Sequence, residues 1–198
     1  NSIGSYNTSK NTFKAGSGLI NGRYTFDVRL SSLKSDGYVD RASSNLQSFY
    51  VSAASITANT SLRLNVFSGK EKTYQSWYGI TEEQLTTDRR FNSAGTDKPG
   101  DPYDNETDNY SQTHYQLFYN NKFNSKWSFN GALFATTGNG FYEQYKAEQK
   151  YSSYVLKNPM VNGIAITKTD LIRQLWLDNL YYGINISIQI KEENREII

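Results

Sequence analysis

Residues 23–33 have the sequence RYTFDVRLSSL, and the strict alternation of this stretch decides the fold class. Apolar side chains stand at the even positions Tyr24, Phe26, Val28 and Leu30, and polar or charged ones at the odd positions. A period of two is typical of a β-strand with one apolar and one polar face. The stretch exceeds the roughly 5–6 residues of a typical strand and matches the ~9–11 residues with which a tilted strand crosses a bilayer. We therefore predict a transmembrane strand with lipid on its even side and a barrel lumen on its odd side.

The composition permits a membrane barrel and excludes a helical membrane protein. The chain has 198 residues, 37% of them hydrophobic, and a mean hydropathy of −0.69. No run approaches the ~18–20 apolar residues of a transmembrane helix, whereas barrel strands alternate and keep the average low. The absence of Cys excludes a disulfide framework and a thiolate site. A net charge of +2 carries no signature of a nucleic-acid partner, and none is predicted.

Six further stretches alternate in the same way, so the sequence predicts an all-β antiparallel meander of about seven long strands. The other predicted strands are residues 11–19, 47–56, 61–68, 114–123, 127–135 and 180–190. Residues 1–190 are predicted to form one barrel segment, followed by a charged tail at residues 191–198. Two long polar loops are predicted at about residues 69–110 and 137–178. Each has a short-helix signal, at Thr81 to Gln84 and from Thr167 through Asp170 to Leu175.

The predicted connections alternate between short and long. Asn21-Gly22, residues 57–59 and residues 124–126 are turn signals, and the long loops fall between them. Short turns at one end and long extracellular loops at the other are typical of outer-membrane barrels. An open seven-stranded sheet would leave two unpaired edges, which lipid does not tolerate, so we interpret the chain as part of a larger barrel.

Five segments resemble TonB-dependent outer-membrane receptors. They are FKAGSGLINGRYTFDVRLSSLKSDGYVDRASS, NVFSGKEKTYQSWYGI, FNSAGTDKPGDPYDNETDNYSQTHYQLFYNNKF, GNGFYEQYKAEQKYSSY and DLIRQLWLDN. Their order and spacing carry the resemblance, which extends from Ser5 to about Ser187. It implies a 22-stranded barrel with a plugged lumen, in the outer membrane of a Gram-negative bacterium. It also implies import of a scarce ligand, most often an iron–siderophore complex and otherwise haem or cobalamin, without a resident cofactor.

The resemblance also implies the partners. These are outer-membrane lipid, a small-molecule ligand such as a metal chelate, and TonB. The plug domain and TonB box of the family have no counterpart in these residues, so TonB is expected to act only through parts outside them.

Aromatic and arginine side chains in the two long loops are the candidate ligand contacts, because aromatics stack on planar ligands and arginine pairs with carboxylate or catecholate oxygens. For each residue alone, packing of the loops or of the barrel rim is the favoured interpretation; for the set, binding is. The set is Tyr74, Trp77, Tyr78, Arg89 and Arg90 in the first loop, with Tyr142 and Tyr145 in the second.

Catalysis and metal binding find no support in the sequence. His114 is the only histidine, and alternation predicts it as a polar lumen residue at a strand top with no serine spaced to it. The spacing Asp104-x-Glu106-x-Asp108 is similar to a calcium loop, but Asn109 and Tyr115 stand where Gly and Glu are required. We predict no catalytic residue, no metal site and a solvated acidic loop.

The alternative is a soluble all-β ligand- or carbohydrate-binding module such as a lectin-like sandwich. In that case the alternating apolar face would be the core between two sheets. Solubility without detergent discriminates between the two interpretations. A barrel enzyme is the third hypothesis, and it requires a triad that the sequence does not display.

Overall fold

The computed structural model describes residues 1–192 and 195–197, and one antiparallel sheet dominates it. The strands are Ser2–Gly4 (β1), Thr8–Gly16 (β2), Tyr24–Ser35 (β3), Ser44–Ile56 (β4), Thr60–Tyr74 (β5), Thr107–Lys122 (β6), Trp127–Lys150 (β7), Met160–Val161 (β8), Ile164–Ala165 (β9), Lys168–Glu192 (β10) and Arg195–Ile197 (β11). One short α-helix, Glu82–Thr87 (α1), and a 3-10 turn, Tyr151–Tyr154, complete the elements.

The sheet is a meander in which each strand pairs with its neighbour in sequence. Its order is β1-β2-β3-β4-β5-β6-β7-β10-β11, and β8 and β9 form a separate hairpin. This confirms the prediction of an all-β antiparallel meander with seven long strands, β2 to β7 and β10. Within the described ranges the first and last strands do not meet, so the sheet stays open. No helix in those ranges has the length and apolar character to cross a membrane.

The strands extend further than predicted at one end of the sheet. The connection from β5 to β6 comprises residues 75–106, and that from β7 to β10 comprises residues 151–167. The predicted loop at residues 137–178 is therefore wrong in extent, and the predicted helix from Thr167 to Leu175 is wrong. Its capping signal is local, whereas this segment pairs with β7 along its length, with a bulge between Thr169 and Leu171.

Connection lengths segregate by end, as predicted. Residues 17–23, 57–59 and 123–126 connect strands at what we call the turn end, and residues 36–43, 75–106 and 151–167 do so at the loop end. The capping box that begins α1 is also confirmed. Thr81 Oγ1 accepts from the Gln84 amide at 3.2 Å, and Gln84 Oε1 accepts from the Thr81 amide at 2.9 Å.

One face of the sheet is an exposed apolar surface, which we call the apolar face. Rows of direct cross-strand partners run over it: Val28, Val51, Val66, Tyr115, Ala135 and Tyr182, and beside them Phe26, Ala53, Leu64, Leu117, Leu133 and Ile184. The exposed fractions are 46% for Leu64, 50% for Leu133 and 60% for Ile184. Nothing in the described residues covers these side chains, so the two-sheet core that the soluble alternative requires is not present there.

Aromatic pairs flank the apolar face towards both ends. Tyr119 and Phe129 lie 6.1 Å apart between ring centroids towards the turn end. Phe141 and Trp176 lie 4.6 Å apart towards the loop end. Aromatic side chains near both ends of an apolar band are also a feature of the lipid-facing side of outer-membrane barrels.

The opposite face, the polar face, carries the charged and amide side chains predicted for the lumen. Arg63 Nη1 donates to Ser52 Oγ at 3.0 Å, and Tyr50 donates to Asn65 Oδ1 at 3.2 Å. A cavity of about 1160 Å³ opens on this face between β2 and β6, and Lys14, Asp27 and Arg29 are among its lining residues. The sheet is therefore concave on its polar side.

A charge on the apolar face should destabilise the folded chain, whereas the same charge one residue away should not. Leu64→Lys puts an ammonium on the apolar face at the position expected near the bilayer midplane, where Lys costs roughly 2–4 kcal/mol. Asn65→Lys, on the polar face, is the matched control and should cost no more than the ~1 kcal/mol of the hydrogen bond from Tyr50 that it removes. Guanidinium unfolding in detergent micelles, followed by tryptophan fluorescence, measures both; equal effects of the two variants would contradict the assignment of faces.

Candidate functional site

The loop of residues 75–106 is anchored to the sheet through Arg41 and Tyr74. Arg41 donates through Nη2 to the carbonyls of Asn92 and Ala94, and through Nε to the Tyr74 hydroxyl at 3.2 Å. The single hydroxyl hydrogen of Tyr74 is donated to the Tyr103 carbonyl, and the Ala94 carbonyl lies 3.2 Å from the same hydroxyl oxygen. Tyr74 is only 5% exposed, and this burial raises the pKa of its hydroxyl. The side chain predicted to contact ligand thus holds the loop in place.

Arg90 joins this loop to the shorter loop of residues 36–43. It forms an ion pair with Asp40 at 3.3 Å and donates to the Tyr38 carbonyl at 2.8 Å. Its guanidinium also lies 5.9 Å from the ring centroids of Tyr6 and Tyr38, within cation–π range. Arg89 is exposed and has no partner among the described residues.

A buried polar network fixes the underside of the loop on the extended parts of β7 and β10. Glu143 accepts from the Tyr103 hydroxyl at 2.6 Å, from Gln174 Nε2 at 2.6 Å and from Asn105. Burial opposes the charge of Glu143, but these hydrogen bonds lower its pKa below the usual value. Burial and the bond to Glu143 raise the pKa of Tyr103 to about 12. Glu143 is thus held as a carboxylate and Tyr103 as a neutral phenol.

Tyr145 belongs to strand β7 and secures the bulge between β7 and β10. Its hydroxyl donates to Asp170 Oδ2 at 2.6 Å, and Asp170 Oδ1 accepts from the Glu148 amide at 2.8 Å. Glu148 has a φ of 50°, which an ordinary side chain adopts only when its surroundings hold it. The prediction that Tyr142 and Tyr145 are loop residues is wrong, because the strand pairing with β10 continues past both.

Three predicted residues do come together, and we call Trp77, Tyr78 and Tyr142 the mouth cluster. Trp77 lies 6.4 Å from Tyr78 and 6.5 Å from Tyr142 between ring centroids, in edge-to-face arrangements. The exposed fractions of Trp77 and Tyr78 are 59% and 45%. Tyr142 pairs with Asp108 and has the parity of the polar face. Exposed aromatic rings at the mouth of a concave surface can stack on a planar ligand.

Sequence reasoning missed the neighbours of this cluster on β10. Leu175 is the cross-strand partner of Tyr142, and Arg173 is the partner of Gln144, to whose Oε1 it donates at 2.6 Å. The buried Nε of Arg173 has no hydrogen-bond partner among the described residues. These residues were missed because the segment was predicted as loop and helix. The apolar positions from 171 to 177 do not alternate, so their pattern carries no period-two signal.

His114 and the acidic residues lie in separate surroundings. His114 lies in the middle of β6 rather than at a strand top, and its nitrogens contact Thr136 Oγ1 at 2.9 Å and Gln112 Oε1 at 3.2 Å. No group of three or more His, Cys, Asp or Glu side chains in residues 1–192 and 195–197 could hold a metal ion. The predicted solvated acidic loop is wrong for Glu106, which is 3% exposed. Burial raises the pKa of its carboxyl group, and its buried Oε2 has no hydrogen-bond partner among the described residues.

Comparison with known proteins adds a structural similarity. No protein-family model matches the chain, and no curated protein sequence matches it. One matching solved structure is the ferric-catecholate import receptor Fiu from Escherichia coli K12 in its closed form. The TM-score is 0.61 at 11% sequence identity, and the match covers 95% of this chain and 27% of that one. The chain therefore has the fold of a segment of that receptor and spans about a quarter of its length.

Docking of the loop of residues 75–106 on the sheet should weaken as pH rises, because burial raises the pKa of Glu106. The nearby charges are Lys146, which lowers this pKa, and Asp97, which raises it. Because the pKa of Glu106 is higher in the folded chain than its ordinary value of 4.5, Glu106 contributes to the stability of the docked loop in full below pH 4.5. This stabilisation is lost as the pH rises through the pKa of Glu106 in the folded chain. Hydrogen exchange at the Tyr103 amide, which donates to the Gly95 carbonyl at 2.9 Å within the loop, should slow at mildly acidic pH after correction for intrinsic rates. Glu106→Gln should abolish this dependence, and Asp104→Asn, at an exposed neighbour, should retain it. Identical pH profiles for wild type and Glu106→Gln would contradict the role of Glu106.

Proposed function

We propose that this chain is a segment of an outer-membrane TonB-dependent receptor that imports a scarce small-molecule ligand. An iron–siderophore complex is the first candidate ligand, before haem and cobalamin. The observation that carries the proposal is the exposed apolar face, together with the structural similarity to a ferric-catecholate import receptor over 95% of the chain. Transport belongs to the complete receptor, of which this chain would be one part of the barrel wall.

Lipid is the environment that an uncovered apolar face requires. Its aliphatic rows run over six strands, and soluble monomers rarely expose a contiguous apolar patch of that extent. In an outer membrane the same rows would face hydrocarbon and the aromatic pairs would lie at its boundaries. This supports a localisation in the outer membrane, with lipid as the partner of the apolar face.

The mouth cluster supplies the ligand contacts in this proposal. Trp77, Tyr78 and Tyr142 offer ring faces and edges, and Arg173 lies on the adjacent strand of the same face. Such a combination suits a metal chelate that has flat aromatic rings and anionic oxygens, since aromatic side chains stack on rings and guanidinium pairs with oxygen. Tyr74, Arg90 and Tyr145 contribute indirectly, because they hold the loop and strands that carry the cluster. A contact with TonB would lie outside this chain.

Behaviour in plain buffer tests the membrane assignment against the soluble binding module. We expect the chain to aggregate without detergent and to fold in micelles, because the apolar face and the two strand edges are uncovered in the described residues. Size-exclusion chromatography with light scattering measures this. A monomer with a cooperative melting transition in detergent-free buffer would support the soluble module instead.

The double variant Trp77→Ala/Tyr142→Ala tests the mouth cluster. Truncation of aromatic anchors at a binding surface typically costs ~2 kcal/mol or more, which is about thirtyfold in affinity. We expect that loss for a ferric catecholate probe, measured by titration of the micelle-bound chain with intrinsic fluorescence and circular dichroism as the check on folding.

Leu85→Ala is the matched control for this double variant. Leu85 lies in α1 of the same loop and is 47% exposed, and no ring contact joins it to the cluster. Its variant should bind the probe with unchanged affinity. If the double variant also binds the probe with unchanged affinity, the mouth cluster serves only to pack the loop. If a ferric hydroxamate, haem or cobalamin binds more tightly than the ferric catecholate, that compound takes the place of the catecholate as the proposed ligand.

A further inference from the structure

Lysine side chains cluster on the apolar face at its border towards the loop end. Lys70 and Lys72 lie on β5, and their parity is that of Leu64 on the same strand. Lys34 lies on β3 and shares this face, because Lys34 and Lys72 are both direct cross-strand partners of Asn45 on β4. We call Lys34, Lys70 and Lys72 the lysine cluster.

Within the described residues of β3 to β6, the apolar face carries no acidic side chain beside these lysines. The carboxylates of the same four strands, Asp27, Glu71 and Asp108, all have the register of the polar face. The three lysines are exposed, and none takes part in an ion pair of the described residues. Lys72 donates to Asn105 Oδ1 at 2.8 Å, which leaves two further N–H groups that can donate. The cluster is therefore a concentration of positive charge that favours an anionic partner.

The exposure of the lysine cluster does not arise from the chain being one part of a barrel wall. Strands β3 to β5 lie inside the sheet, with β2 on one side and β6 on the other, so further barrel strands would be added beyond them. A plug in the lumen would contact the polar face, which is the opposite side of the sheet. In a complete barrel only the surrounding lipid would reach these side chains.

The distance of the cluster from the middle of the apolar face corresponds to the level of lipid headgroups. Lys70 follows Leu64 on the same strand by six residues, which is about 20 Å at ~3.4 Å per residue. At the roughly 40° tilt of barrel strands, this gives about 15 Å along the membrane normal. Half of a hydrocarbon core ~30 Å thick is also about 15 Å. With Leu64 near the midplane, the ammonium groups reach the headgroup layer at the loop end.

We propose that the lysine cluster binds the phosphate group of a lipid in the leaflet at the loop end. This rests on the proposed function, which places the apolar face in lipid. The acyl chains lie along the aliphatic side chains, and the phosphate accepts charge-assisted hydrogen bonds from the lysines. Asn45 and Gln47 lie between the lysines on β4, and their amide groups can donate as well. A phosphomonoester suits the site best, because it carries up to two negative charges and three strong acceptor oxygens.

Lipid selection by the folded chain tests the site. The micelle-bound full chain is mixed with dioleoylphosphatidic acid in a neutral detergent, and native mass spectrometry measures the fraction of chains that retain the lipid. We expect phosphatidic acid to bind more than about tenfold more tightly than dioleoylglycerol, which has the same acyl chains without the phosphate. An excess of inorganic phosphate should leave the lipid bound, because the acyl chains contribute to binding. Equal retention of the two lipids, or displacement by inorganic phosphate, would overturn the proposal.

Paired lysine variants locate the site. Lys34→Gln/Lys70→Gln removes two charges from positions that have no side-chain hydrogen bond among the described residues. It should weaken phosphatidic acid binding roughly 25-fold, because each lysine near an anionic lipid contributes about fivefold. Lys10→Gln/Lys14→Gln is the matched control, because it removes the same charge from the polar face and should bind normally. With circular dichroism as the check on folding, equal losses in the two variants would reduce the effect to net charge and refute the site.

Failure of the lysine cluster is distinguishable from failure of the proposed function. A chain that folds in micelles and aggregates in plain buffer, yet does not prefer phosphatidic acid, keeps its lipid-facing surface and refutes only the phosphate site. A chain that is a folded monomer in detergent-free buffer refutes both.

Discussion

The cross-strand register is the constraint on which the rest of this structure depends. In a strand a shift of one residue transfers every side chain to the opposite face. The tight connection of residues 123–126 holds Leu117 opposite Leu133, and the pairing of β5 with β6 places Leu64 opposite Leu117, so aliphatic side chains meet across the sheet. The same register aligns Arg29, Tyr50 and Phe67 on the polar face. One geometric rule thus creates both a surface for lipid and a surface for polar partners.

Because its sheet has no second layer in the described residues, this chain has hardly any apolar core. The buried hydrophobic residues there are Ala54, Tyr74 and Ala94, and two of these belong to the anchor of the long loop. Most buried side chains are polar instead, among them Gln75, Glu106 and Glu143. Buried polar groups require partners, and the network of Glu143 with Tyr103 and Gln174 supplies them. Order at the loop end therefore comes from directional hydrogen bonds more than from hydrophobic burial.

The hydrogen-bonded order of the loop end accounts for the different surroundings of the predicted ligand residues. Tyr74, Arg90 and Tyr145 are bound to loop or strand partners, and their hydrogen-bonding groups are engaged. Trp77 and Tyr78 make ring contacts and remain exposed. A rigid hydrogen-bonded base with exposed rings above it is a suitable arrangement for ligand contact, since ordering of flexible loops on binding costs affinity.

Sequence reasoning succeeded where the side-chain period is two and failed where it is not. Residues 180–190 alternate cleanly, and both their strand and their faces were predicted correctly. Residues 171–177 carry apolar side chains on both faces and were predicted as loop and helix. The capping pattern at Thr81 was correct, while the similar pattern at Thr167 was wrong. A capping pattern depends on four consecutive residues only, so it carries no information on strand pairing. The segment after Thr167 pairs with β7, whereas the segment after Thr81 has no such partner and forms α1.

The sequence by itself determined the fold class, the order of the strands and the two faces of the sheet, because alternation is a local property of consecutive residues. Only the tertiary structure decided how far β7 and β10 extend and which aromatic side chains meet. It alone also revealed that Glu106 is buried. These features join residues far apart in the chain, such as Trp77 with Tyr142, and such contacts arise from strand pairing that local sequence patterns do not encode.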